Sequence, residues 1–153
     1  MDIEAQDTCF TGVAEHTLDA KGRVSLPAKA RRYLPEIVKC VLSLDKKAVY
    51  VFAPEAYDAW VKSFFSEGFN PRSKKDKLLR LGLNAKTVTV DIDKAGRVAL
   101  GKIAASDLEK LALGREAVVV GDADHFAVYN TEAWAAKQAE LAIDIDALLD
   151  DED

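Results

Sequence analysis

Cysteine is scarce in this chain of 153 residues: there are two, with one methionine and four prolines. Cys9 and Cys40 match the spacing of neither a metal knuckle nor a redox pair. They read as two reduced thiols, Cys40 buried, in a reducing compartment. Long apolar runs are missing too. Uncharged stretches such as 117–121 are far below the ~20 residues of a membrane span, so no membrane partner is expected. Residues 1–10 are acidic rather than basic and apolar, so no export signal is read there and the expected location is the cytoplasm. No Gly-rich phosphate loop of standard spacing occurs.

Catalytic constellations are equally thin. His16 and His125 have no serine, cysteine or carboxylate at a spacing that would make either a nucleophile's base, and both read as structural histidines. Asp91 and Asp93, two apart on an apparent strand, would share a face, but no further ligand accompanies them to suggest a metal site. An enzyme, a cofactor and a small-molecule substrate are therefore not expected.

The chain also lacks a basic excess, with 21 Lys and Arg against 26 Asp and Glu, net −5. Taken alone, that argues against a nucleic-acid partner, because affinity for phosphate rests on basic side chains. The average conceals an asymmetry. Residues 1–80 carry 14 basic and 11 acidic side chains, whereas residues 81–153 carry 7 and 15. Residues 140–153 alone hold seven acids and no base, a pattern that suggests a polar partner for one end and a solvating tail at the other.

What is present is a repeat. Leu18-Asp19-Ala20-Lys21-Gly22-Arg23-Val24-Ser25-Leu26 recurs as Ile92-Asp93-Lys94-Ala95-Gly96-Arg97-Val98-Ala99-Leu100, 74 positions later. Residues 51–57 are echoed by residues 128–134 at an offset of 77. In each copy a strand is expected to end at the Asp, the Asp-x-x-Gly tetrad to turn the chain, with Gly22 or Gly96 at positive φ, and a strand to follow, forming a hairpin. A helix is expected over 28–34, led by Pro27 and stopped before Pro35. Its counterpart is expected over 107–113, capped by Ser106 and stopped at Gly114. The β-rich runs 40–44 and 49–52 then match 117–120 and 126–129.

A helix over 54–65 would present Tyr57, Trp60, Val61 and Phe64 on one face, and the second copy has Trp134, Leu141, Ile145 and Leu148 at similar spacing. Residues 68–73 read as a flexible connector, with Ser73 capping a linking helix that ends near Gly82. The divisions expected are a first unit with its trailing helix at 10–65, a linker with a helix at 66–83, a second unit with a C-terminal helix at 84–149, and an acidic disordered tail at 150–153.

One segment stands out chemically. Between His16 and Arg32 lie Lys21, Arg23, Lys29, Arg31 and Arg32 against the single acid Asp19. Two readings compete: a solvated face with Asp19 pairing Arg23 across the turn, or a surface for a polyanion. An exposed pair contributes only ~0–1 kcal/mol, a weak reason to repeat it in both copies.

Phe10-Thr11-Gly12, His16 through Lys29, Leu78-Leu79-Arg80-Leu81-Gly82 and Asp93 through Val98 together resemble the bacterial MraZ proteins, over roughly residues 10–141. The resemblance implies an α+β fold of two tandem swapped-hairpin, AbrB-like β-barrel units with short helices and a C-terminal helix. It implies a ring-shaped homo-oligomer, nucleoid-associated, that regulates transcription by binding short direct repeats in double-stranded DNA upstream of its own division and cell-wall operon. Carried onto this sequence, Asp19 and Gly22, and again Asp93 and Gly96, fix the turns, while Arg23 and Arg97 meet DNA. Lys21, Lys29 and Arg31 fit contacts to backbone phosphates, and Arg32 and Lys94 are expected among the DNA-binding residues. The second copy lacks the proline and the basic run of the first, so the first hairpin is expected to be the main DNA reader and the second to serve assembly. A different class of reading is an antitoxin-like protein-interaction module, since AbrB-like hairpins also occur in antitoxins.

Overall fold

The computed structural model describes residues 10–103, 108, 109 and 111–150. In it the two Asp-x-x-Gly tetrads turn the chain as the repeat predicts, but the arms they join do not form simple hairpins. β1 (Val13–Thr17) and β2 (Arg23–Ser25) flank the first turn; β5 (Val88–Asp91) and β6 (Arg97–Ala99) flank the second. The arms touch only at the base of each turn, where Asp19 N–H donates to Arg23 O at 3.0 Å and Ile92 bridges Val98. They then part, and each pairs with the other repeat. β2 and β6 form an antiparallel ribbon with Val24 opposite Val98, and β1 pairs β7 (Glu116–Asp122). β5 likewise pairs β3 (Ile37–Leu42). The hairpin expected from local sequence is thus exchanged between the two halves of one chain.

β4 (Ala48–Phe52) and β8 (His125–Tyr129) complete a six-stranded antiparallel sheet of order β1-β7-β8-β4-β3-β5. β-Branched and aromatic residues suit these strands because both sheet faces are covered. On one face Val38, Cys40, Val49, Val51, Val119 and Val128 pack with Val24 and Val98 of the ribbon. On the other, Val41 and Phe52 meet Tyr57, Val61 and Leu83 from two helices. Val24 and Val98 are both fully buried, each worth ~1.5–3 kcal/mol of transfer free energy, and each half supplies one of them.

α1 (Ala28–Tyr33) starts after Pro27 and buries Ala30. α2 (Pro54–Lys62) is shorter than expected, and α3 (Lys74–Ala85) is capped by Ser73, whose Oγ accepts from Asp76 N–H at 3.1 Å. α3 runs through Gly82 instead of ending there. One glycine costs about 1 kcal/mol relative to alanine in a helix interior, too little to end a helix anchored by buried Leu83 and by Asn84, whose Oδ1 accepts from Tyr57 Oη at 2.8 Å.

In the second half the chain breaks its helical turn at Ala112, with φ of 48°, rather than at Gly114. Ser106 and Asp107 lie outside the described residues, as do residues 1–9, including Cys9, and residues 151–153. Asp150, expected in a disordered tail, is the last residue of α4 (Thr131–Asp150). No described helix is long and apolar enough to cross a membrane.

Candidate nucleic-acid interface

Both repeated turns are built by their aspartates. Asp19 Oδ1 accepts the backbone N–H groups of Lys21 and Arg23, each at 2.9 Å, while Gly22 takes φ of 75°. Asp93 Oδ1 accepts from Ala95 at 3.0 Å and Arg97 at 2.9 Å, with Gly96 at φ of 78°. Local side-chain to backbone bonds of this kind favour turns over regular structure.

The remaining carboxylate oxygens point at arginines. Arg23 Nε donates to Asp19 Oδ2 at 2.6 Å and Arg97 Nε to Asp93 Oδ2 at 2.8 Å. The pairs then cross. Arg97 Nη1 stands 3.5 Å from Asp19 Oδ2 and Arg23 Nη1 3.7 Å from Asp93 Oδ2. Two residues from each repeat, 74 positions apart, thus form one four-membered ring of alternating charge, each side chain about a third exposed. The Arg23 and Arg97 N–H groups, followed by the guanidiniums, hold the Asp19 and Asp93 carboxyls below the usual carboxylate range.

The ring is electrically balanced, so any net positive potential comes from its surroundings. Lys21 and Lys94 are exposed in the two turns, two residues and one residue after their respective aspartates, and Lys29, Arg31 and Arg32 are exposed on α1. The swap moves one of these to the other repeat: Arg31 Nη1 donates to Ala95 O at 3.3 Å, and its aliphatic stem lies against Gly96. Exposed Lys102, not among the predicted site residues, follows Gly101, which closes against Lys21 O. The cross-repeat ring and the placement of Arg31 went unread in the sequence, whose only signal for them was that two equal motifs must meet if the halves exchange strands.

The residues set aside as structural lie elsewhere. His125 is buried between the Tyr50 and Phe52 rings, at 4.4 and 4.9 Å, with Nδ1 2.7 Å from Asp124 Oδ1. Burial lowers the pKa of half-buried His16 and pushes the Cys40 thiol up to about 12. Asp91 ends β5 while Asp93 belongs to the turn, and no metal-binding cluster of three His, Cys, Asp or Glu is formed among the described residues.

Comparison with known proteins agrees with the geometry. The family model described as "MraZ protein, putative antitoxin-like" matches residues 9–80 and again residues 83–150. The transcriptional regulator MraZ of Limosilactobacillus fermentum is 34% identical over 142 residues, covering 91% of this chain and 93% of that protein. The protein of the same name from Chromobacterium violaceum is 33% identical over 138 residues, 87% of this chain and 89% of its own length. That from Mycoplasmoides gallisepticum is 29% identical over 126 residues, 82% of this chain and 84% of its own. Matched in both repeats and along nearly its whole length, the chain belongs to the MraZ family.

Proposed function

We propose that this chain is a sequence-specific DNA-binding regulator of transcription, acting at the nucleoid in the cytoplasm as a binding protein and not an enzyme. Its target is a set of short direct repeats upstream of its own division and cell-wall operon, bound by a ring-shaped homo-oligomer. The observation that carries the reading is the joining of the two turns. The Asp-Arg ring gives them a fixed frame, and Lys21, Lys94, Arg31, Lys29 and Arg32 add exposed positive charge around it. Lysines and Arg31 or Arg32 on phosphates position the protein, while the guanidinium edges of Arg23 and Arg97 left exposed by the ring are suited to guanine in the major groove. Since the first turn carries the richer basic run in sequence, it is assigned the larger share of affinity.

The test is a mobility-shift titration with DNA from just upstream of the protein's own gene at several salt concentrations. Log affinity should fall steeply with log salt, by about 0.9 per phosphate neutralised and summed over the engaged subunits. A slope near zero, or equal affinity for unrelated DNA, would overturn the proposal.

A further inference from the structure

Among the described residues, the C-terminal helix is held at its N-terminal end. Trp134 stacks on Tyr129 at 5.3 Å, Asn130 caps the start by accepting Ala133 N–H, and Lys137 reaches Asp45 at 3.3 Å. Beyond these, Leu141, Ile145 and Leu149 are 42%, 50% and 66% exposed. Their spacing of four keeps them along one side of the helix, where a run of large apolar side chains marks an interaction surface. In the first half the equivalent helix is not left bare: Tyr57 and Val61 of α2 pack with Leu79 and Leu83 of α3. Among the described residues, no element covers the corresponding stripe of α4.

A matching surface lies on α3. A cleft of about 300 Å³ between α3 and the end of β3 is lined by Leu44, Leu78, Leu83, Gly82, Lys46 and Lys86, with Leu44 and Leu78 64% and 57% exposed. A Cβ on Gly82 would meet nothing within 4 Å, so the chain's own packing does not require glycine there, although glycine is a poor helix residue. Its effect is to leave the cleft open. The charges are complementary: Lys46 and Lys86 line the cleft, and residues 140–150 carry four acids and no base.

We infer that the C-terminal half of α4 from one copy lies in the α3–β3 cleft of a second copy, Leu141, Ile145 and Leu149 covering Leu44 and Leu78, with the acids facing Lys46 and Lys86. The inference rests on the self-assembly proposed above and names its contact. Donor helix and acceptor cleft are different surfaces, so the contact is heterologous: each bound copy offers a further helix and a further cleft, and the series closes into a ring when the rotation allows.

Two variants test it by light scattering. Ile145→Asp spoils the helix and leaves the cleft; Gly82→Leu fills the cleft and leaves the helix. Each alone should fall from the wild-type assembly to a monomer with unchanged circular dichroism. Mixed in equal amounts, they should form a dimer and nothing larger, because one sound helix meets one sound cleft. Retention of the wild-type mass by either variant, or failure of the mixture to dimerise, overturns this contact while leaving assembly itself standing. A monomeric wild-type protein overturns assembly and the contact together.

Discussion

Arg31 lies across Gly96: a Cβ placed on that glycine would stand 1.7 Å from Arg31 Cδ. Gly96 also holds φ of 78°, a conformation costing an L-residue about 1–2 kcal/mol. Gly96→Ala should therefore lower the unfolding free energy from urea titration by at least that amount, and by less in an Arg31→Ala background, where only the backbone strain remains. A double-mutant cycle measures the coupling. Equal costs in the two backgrounds would mean that Arg31 does not rest on this turn in solution.

Arg23 and Arg97 share two carboxylates, so their effects should not add. Each Arg→Ala substitution should weaken DNA binding by about 1–3 kcal/mol if its guanidinium reads a base, Arg23→Ala the more. The double variant should lose less than the sum, since the first substitution already disturbs the ring that frames the second arginine. Mobility shifts on the three variants decide the matter, and strict additivity would show that the arginines act separately.

Acid should loosen the turns. Asp19 and Asp93 have folded-state pKa values below the ordinary value of 3.8, so the unfolded chain takes up protons first as pH falls. Their contribution is complete above the ordinary value and disappears as pH drops through the folded ones. Urea midpoints followed from about pH 5 to about pH 2 should decline, less steeply in Asp19→Asn/Asp93→Asn than in the wild type. Parallel declines would assign the acid sensitivity to other carboxylates.

With a net charge of −5, a single basic face should bind one DNA repeat weakly. An assembly engaging adjacent repeats on one molecule should bind them about 10²–10⁴ times better through effective concentration. Titrations against one, two and three repeats measure this, and indifference to repeat number would count against cooperation between faces.

Much of the chain could be read locally. The turns at Gly22 and Gly96, the Ser73 cap and the buried side of α2 follow from patterns spanning a few residues. Pairings across the repeats could not be read that way: nothing near Val24 says that Val98, rather than the other arm of its own turn, lies opposite. The same long range hid Arg31, which the sequence groups with Lys21 and Arg23 and the fold delivers to Ala95. Gly82 misled for the opposite reason, since a local stop signal was outweighed by packing at Leu83.

Exchange of strands within one chain, rather than between two identical chains, removes an obligation to symmetry. A dimer of equal hairpins presents the same turn twice about a two-fold axis and is matched to a palindromic site. Here one turn is buttressed by Arg31 of α1 and the other closes against Gly101, so the two ends of the face are chemically distinct. Under the proposed function, a DNA element read by such a face has a head and a tail, and successive elements read by successive subunits must run in the same direction.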